Sequence, residues 1–123
     1  MERIRMPDRT IKIATDFSRY PGGRFRDDGP NSGQEFREDF LVPALADAVS
    51  TNGQVVVTLD GAAAYASSFL EEAFGGLVRT SGINPNVVTR TVVIEAKDPL
   101  YASYKNLAVR YMQEEVKRLA LAN

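Results

Sequence analysis

The spacing of hydrophobic and polar positions along this 123-residue chain changes several times. In "RTIKIATDF", Ile11 and Ile13 alternate with Lys12, which predicts a first strand over 9–17. The "ERIRM" of residues 2–6 predicts an extra edge strand, with Pro7 and Asp8 as the turn behind it. Residues 18–33, "SRYPGGRFRDDGPNSG", have no period and are dense in Gly, Pro and charge, the composition of a long functional loop. A helical stripe then begins: Phe36, Phe40, Ala44, Leu45 and Ala48 share one face, with Ser32 as N-cap and Glu35 completing a capping box. Pro43 lies inside that stripe and predicts a kink or break between Glu38 and Pro43.

"QVVVTLD" is a short, almost continuous β-branched run and reads as a central strand buried on both faces. In "YASSFLEEAFGGLVR", Ser68 and Glu71 form a second capping-box pattern, and Leu70, Ala73, Phe74, Leu77 and Val78 form a buried stripe. Gly75 and Gly76 interrupt that helix at about 1 kcal/mol each against Ala. Close packing of the helix on the sheet, or a helix kept soft so that it can shift, would each account for them. "NVVTRTVVIEAKD" predicts a strand over 90–95. A last helix starts near Pro99, with Tyr104, Ala108, Met112, Val116 and Leu119 inward and Arg110, Lys117 and Arg118 outward. Tyr101, Tyr104 and Tyr111 belong to core or rim on this pattern rather than to a base-stacking platform.

Strands alternating with helices predict one α/β domain over 1–123, its sheet mainly parallel. The chain has neither Cys nor His, which removes disulfides, thiolate chemistry and imidazole bases and makes an enzyme the lesser expectation. A formal charge of −1 argues against general nucleic-acid binding, and no apolar run is long enough for a membrane helix. A soluble cytoplasmic protein that binds no cofactor is therefore expected.

The blocks "SGQEFR", "LDG" and "SSFLEEAFGG", in that order between Thr10 and Thr80, resemble the STAS-like domain family of unknown function, itself similar to anti-sigma-factor antagonists. The resemblance implies a STAS-like sandwich: a small mixed sheet of about four strands with helices mainly on one face. It also implies a non-enzymatic regulatory module. In the antagonists, a serine at the start of this helix is phosphorylated by an ATP-binding, kinase-like anti-sigma partner, and that breaks the complex. Carried onto this chain, the phosphoacceptor is Ser68, with Ser67 as the neighbouring hydroxyl. The antagonists commonly have Asp before the serines and Gly after, where this chain has Ala66 and Phe69. Partner-binding positions on this reading are Asp60, Phe69, Glu71, Glu72, Arg24 and Arg26. The alternative for the serine pair is a purely structural helix cap.

Two other chemistries fit the residue types. The Gly-rich loop with Arg24 and Arg26 is a candidate phosphate cradle, although it has no Walker spacing. Asp16, Asp27, Asp28 and Asp60 are candidate Mg²⁺ or phosphate-site residues of a small-ligand domain or a carboxylate-dependent enzyme. Asp60 with Lys97 and Pro99 also suggests a receiver domain, which the small number of helices argues against; Asp60-Gly61 reads more simply as a strand-exit turn. A homo-oligomer is compatible with everything above.

Overall fold

A computed structural model of the chain describes residues 8–122. Strand β1 is Arg9–Lys12, β2 is Val55–Thr58 and β3 is Val92–Glu95. They form a three-stranded sheet in the order β1-β2-β3, and both pairings are parallel. The expected mixed sheet of about four strands is thus, among the described residues, a parallel sheet of three. The edge strand predicted over 2–6 lies outside the described residues. β1 is also shorter than expected, because Ile13–Phe17 coils into one π-helical turn closed by the Ser18 N–H on the Ile13 carbonyl.

Helix α1 covers residues 33–51 as a first turn Gly33–Phe36, a π-turn Arg37–Leu41 and the α-helical Val42–Thr51. Ser32 caps it as expected, its side chain accepting from the Glu35 N–H at 3.0 Å. The reciprocal half of the capping box is displaced by one residue: Glu35 accepts from the N–H of Asn31, at positive φ, not of Ser32. Pro43 does not break the helix. The wider turn just before it, where the Val42 N–H reaches back to the Arg37 carbonyl, relieves the clash between a proline ring and the preceding turn.

Helix α2 covers residues 67–80 and repeats the device, with α-helical Ser67–Leu70, a π-turn Glu71–Gly75 and α-helical Gly76–Thr80. Helix α3, Pro85–Thr91, occupies part of the segment predicted as strand. Asn84 caps it by accepting from the Asn86 N–H, and Pro85 fills its first position, so β3 starts at Val92 rather than Arg90. After a 3-10 turn Pro99–Tyr101, helix α4 runs Ala102–Leu121. Ala108 and Met112 are buried, and Tyr104, Val116 and Leu119 pack on the core as predicted.

Ile11, Val55, Val57, Val92 and Ile94 point into this core, together with Phe36, Phe69 and Phe74. The alternate positions do not. Thr10, Lys12 and Val93 are exposed and Val56 and Thr58 half-buried, so among the described residues helices cover one face of the sheet only. β2, expected to be buried on both faces, is therefore buried on one.

Candidate functional site

The carboxyl ends of the strands open into three segments that are bonded to one another. Beyond β1, the Arg19 carbonyl accepts from the Ala63 N–H at 2.8 Å. Beyond β2, Asp60 accepts from the N–H groups of Lys97 and Asp98 at 3.0 and 2.8 Å, tying the exit of β2 to that of β3. The Tyr65 hydroxyl donates to the Leu59 carbonyl at 2.7 Å, and Tyr101 donates to Ala62. Gly61 takes a φ of 94°, where a side chain would be strained, so the turn predicted at Asp60-Gly61 is present. Partial burial pushes the Asp60 carboxyl up, but the Lys97 and Asp98 N–H groups outweigh it and hold the carboxyl below its ordinary range. Burial, then the neighbouring Tyr101 and Asp60, push the Tyr65 hydroxyl well up, so it stays a proton donor.

The serine pair stands on this rim. The N-cap of α2 is Ala66, extended and without a side-chain cap, so Ser67 and Ser68 occupy the first two helical positions. Ser68 is not the cap expected from the sequence. Neither hydroxyl makes a hydrogen bond among the described residues; Ser67 is exposed and Ser68 half-buried. Two large apolar side chains on the loops that meet here, Tyr20 at 69% and Leu100 at 79% exposure, project into solvent.

Behind the serines lies an arginine–glutamate cluster. Arg37 and Glu72, each 7% exposed, form an ion pair, and Arg37 also donates to the Glu72 carbonyl at 3.1 Å. Arg79 grips Glu71 through two bonds of 2.7 and 2.9 Å. Arg24 reaches in from the loop to Glu71 at 2.5 Å and Glu72 at 3.4 Å. Glu115 of α4 lies 3.5 Å from Arg79 and binds Arg118. Arg79 first, and Arg24 in addition, hold the Glu71 carboxyl down to about 2 against the opposing effect of burial.

The cluster accounts for the glycine pair. A Cβ on Gly76 would stand 2.6 Å from an Arg37 nitrogen, and one on Gly75 would stand 2.5 Å from a Glu71 oxygen. Packing explains both glycines, and the atoms they make room for are charged side chains rather than the sheet. Gly33 does the same for backbone, since its Cβ would lie 2.5 Å from the Phe69 carbonyl oxygen where α1 crosses α2.

Of the residues singled out from the sequence, Asp60 ties the exits of β2 and β3, and Ser67 and Ser68 open the helix that follows β2. Glu71, Glu72 and Arg24 belong to the ion cluster, and Phe69 is fully buried in the core. Arg26 pairs on the surface with Glu38 and Asp39, both at 3.0 Å. Sequence reasoning missed Arg37, Arg79 and Glu115. The available signal was a charged residue falling on a stripe otherwise apolar, as Glu115 does between Met112 and Leu119.

The other chemistries find no assembled site. The Gly-rich loop closes on itself: Gly22 donates to Asn31, Gly33 to Gly23 and Gln34 to Arg24. Asp16 and Asp28 accept from the nearby N–H groups of Lys12 and Phe25. Among the described residues, no group of three or more acidic side chains converges on a metal position. A groove of about 550 Å³ lies at the opposite end of the sheet, between Val49, Gln54, Val87 and Arg90, and contains none of the predicted residues. No helix among the described residues is long and apolar enough to cross a membrane.

In comparisons with known proteins, the family model described as "STAS-like domain of unknown function (DUF4325)" matches residues 32–99, more than half of the chain. The match spans both π-turned helices, the serine pair and the Asp60 tie. No curated protein and no solved structure matches.

Proposed function

The chain belongs to the STAS-like domain family, and on that premise we propose that it is a non-enzymatic regulatory module that docks a protein partner on the rim at the carboxyl ends of its strands. The observation that carries this reading is the serine pair: two hydroxyls in the first turn of a helix, unused by any cap, in a domain whose strand-exit loops also expose Tyr20 and Leu100. Ser68, with Ser67 as its neighbour, is the phosphoacceptor in this proposal, and the partner is an ATP-binding, kinase-like protein. A phosphoryl group here would be favoured by the positive end of the α2 dipole. It would also place about −1.5 to −2 charges on a surface with a strong apolar component. Complex formation would then be controlled without refolding the domain, because the core beneath the rim does not depend on those hydroxyls.

Capture of partners with the full chain, followed by intact-mass analysis of the recovered protein, tests both halves. A bound ATP-binding protein together with phosphate on Ser67 or Ser68 is the expected result. A partner bound equally well by the chain and by its Ser68→Asp variant would leave an adaptor without the switch. Loss of partner binding on Asp60→Ala, with the fold retained, would place the contact on the rim.

A further inference from the structure

One face of the sheet has no element packed on it among the described residues, which is physically unusual. Parallel sheets occur almost only with both faces covered, yet Thr10, Val56 and Val93 form one open row across this one and Lys12, Thr58 and Glu95 form the next. The register places Lys12 and Glu95 at opposite ends of the same row, on the two edge strands. Among the described residues Lys12 has no ion-pair partner. The Glu95 carboxylate has, among the described residues, one ion-pair partner, Lys97 at 3.6 Å, a residue whose side chain is 79% exposed.

From this pattern we propose that a second copy of the chain packs face to face on the open side of the sheet. A two-fold axis parallel to the strands, passing over β2, turns β1 of one copy onto β3 of the other. Lys12 then lies opposite Glu95 of the partner subunit, and the reciprocal pair forms on the other side. Val56 meets its own counterpart at the centre, and Thr10 meets Val93 of the partner subunit. The face is therefore self-complementary in charge and apolar in its middle, as an isologous interface requires. Aligned sheet packing about 10 Å apart leaves a reach that long Lys and Glu side chains can bridge. The face is small, roughly 13 by 14 Å from strand spacings, against the roughly 800 Å² per partner of a standard interface, so the dimer is weak and concentration-dependent. This proposal does not depend on the rim reading, since it uses the open face of the sheet rather than the serine pair.

Sedimentation of the full chain from about 10 μM to about 1 mM tests it, a range suited to weak interfaces. Reversible dimerisation is expected. Lys12→Glu and Glu95→Lys, each on an exposed or half-exposed side chain, should each weaken it by about tenfold, because each places like charges opposite at both symmetric contacts. Mixing the two variants should restore association, since every contact in the mixed dimer again joins opposite charges. A chain that stays monomeric throughout overturns the proposal and leaves the face to the chain's own first residues or to a different protein. Dimerisation that neither variant changes, or that mixing does not recover, also overturns it.

Discussion

Arg37 and Glu72 meet across the crossing of α1 and α2, both 7% exposed, in a space that stays open because residue 76 has no side chain. Each comes from a π-turn, and each π-turn sets its charged side chain into the contact between the two helices.

Removing Arg37 leaves the buried Glu72 carboxylate with only its longer contacts to Arg24 and Arg79, at 3.4 and 3.5 Å, so Arg37→Met alone should destabilise the domain by about 3 kcal/mol, the low end for a broken buried pair. Replacing both, as Arg37→Met with Glu72→Leu, should cost clearly less than the sum of the single changes. Urea denaturation of the four proteins in the cycle measures the coupling. Additive costs would show that the pair is not an energetic unit.

The tight glycines of the two crossing helices, Gly33, Gly75 and Gly76, should rank by what their missing Cβ would strike. Gly33→Ala pushes against backbone at Phe69, and about 2–3 kcal/mol of destabilisation is expected. Gly76→Ala meets the Arg37 guanidinium and should be intermediate. Gly75→Ala meets the far end of the Glu71 side chain, which can turn, and gains about 1 kcal/mol of helix propensity, so it should be near neutral. Denaturation midpoints give the order, and a Gly75→Ala more damaging than Gly33→Ala would contradict it.

The two serine-led helices should respond differently to Ala. Ser32→Ala removes a real cap and should cost about 1 kcal/mol. Ser68→Ala removes no hydrogen bond and should stay within about 0.5 kcal/mol of the parent. Thermal melts of both variants suffice. A loss at Ser68 equal to that at Ser32 would restore the capping role to the serine pair.

Glu71 sets an acid limit on stability. Its carboxyl is held from an ordinary 4.5 down to about 2, by Arg79 above all, so the folded state releases its proton more readily than the unfolded state. Its contribution is fully present above about pH 4.5 and is lost as the pH falls towards 2. The loss should amount to roughly 2 kcal/mol after allowance for the part of the side chain that meets solvent. In Glu71→Gln that part of the pH dependence should vanish, which stability measurements at a series of acid pH values would detect.

Much of this protein could be read from local pattern. The β-branched run at Val55–Val57, the stripes of α1, α2 and α4, and the caps at Ser32 and Asp60-Gly61 depend on neighbouring residues, and period and turn chemistry report them. Local pattern was less informative wherever two segments compete or meet. "NVVTRTVVIE" suits a strand throughout, yet Asn84 and Pro85 start a helix that consumes its first half. Ser68 with Glu71 has the spacing of a capping box, yet the chain enters α2 one residue before the pair and, among the described residues, leaves both hydroxyls unbonded. The ion cluster was the least visible feature, because Arg24, Arg37, Glu71, Glu72, Arg79 and Glu115 come from four separate segments. Only the crossing of α1 and α2 against α4 brings these charges out of water, and only there does the absence of a side chain at Gly75 and Gly76 acquire a reason. The sequence by itself determined the order of the main helices and strands and the apolar stripes of α1, α2 and α4, because those depend on neighbouring residues. Tertiary structure decided which polar groups are paired in the interior and which, like Ser67 and Ser68, make no hydrogen bond among the described residues, because burial and pairing depend on segments far apart in the chain.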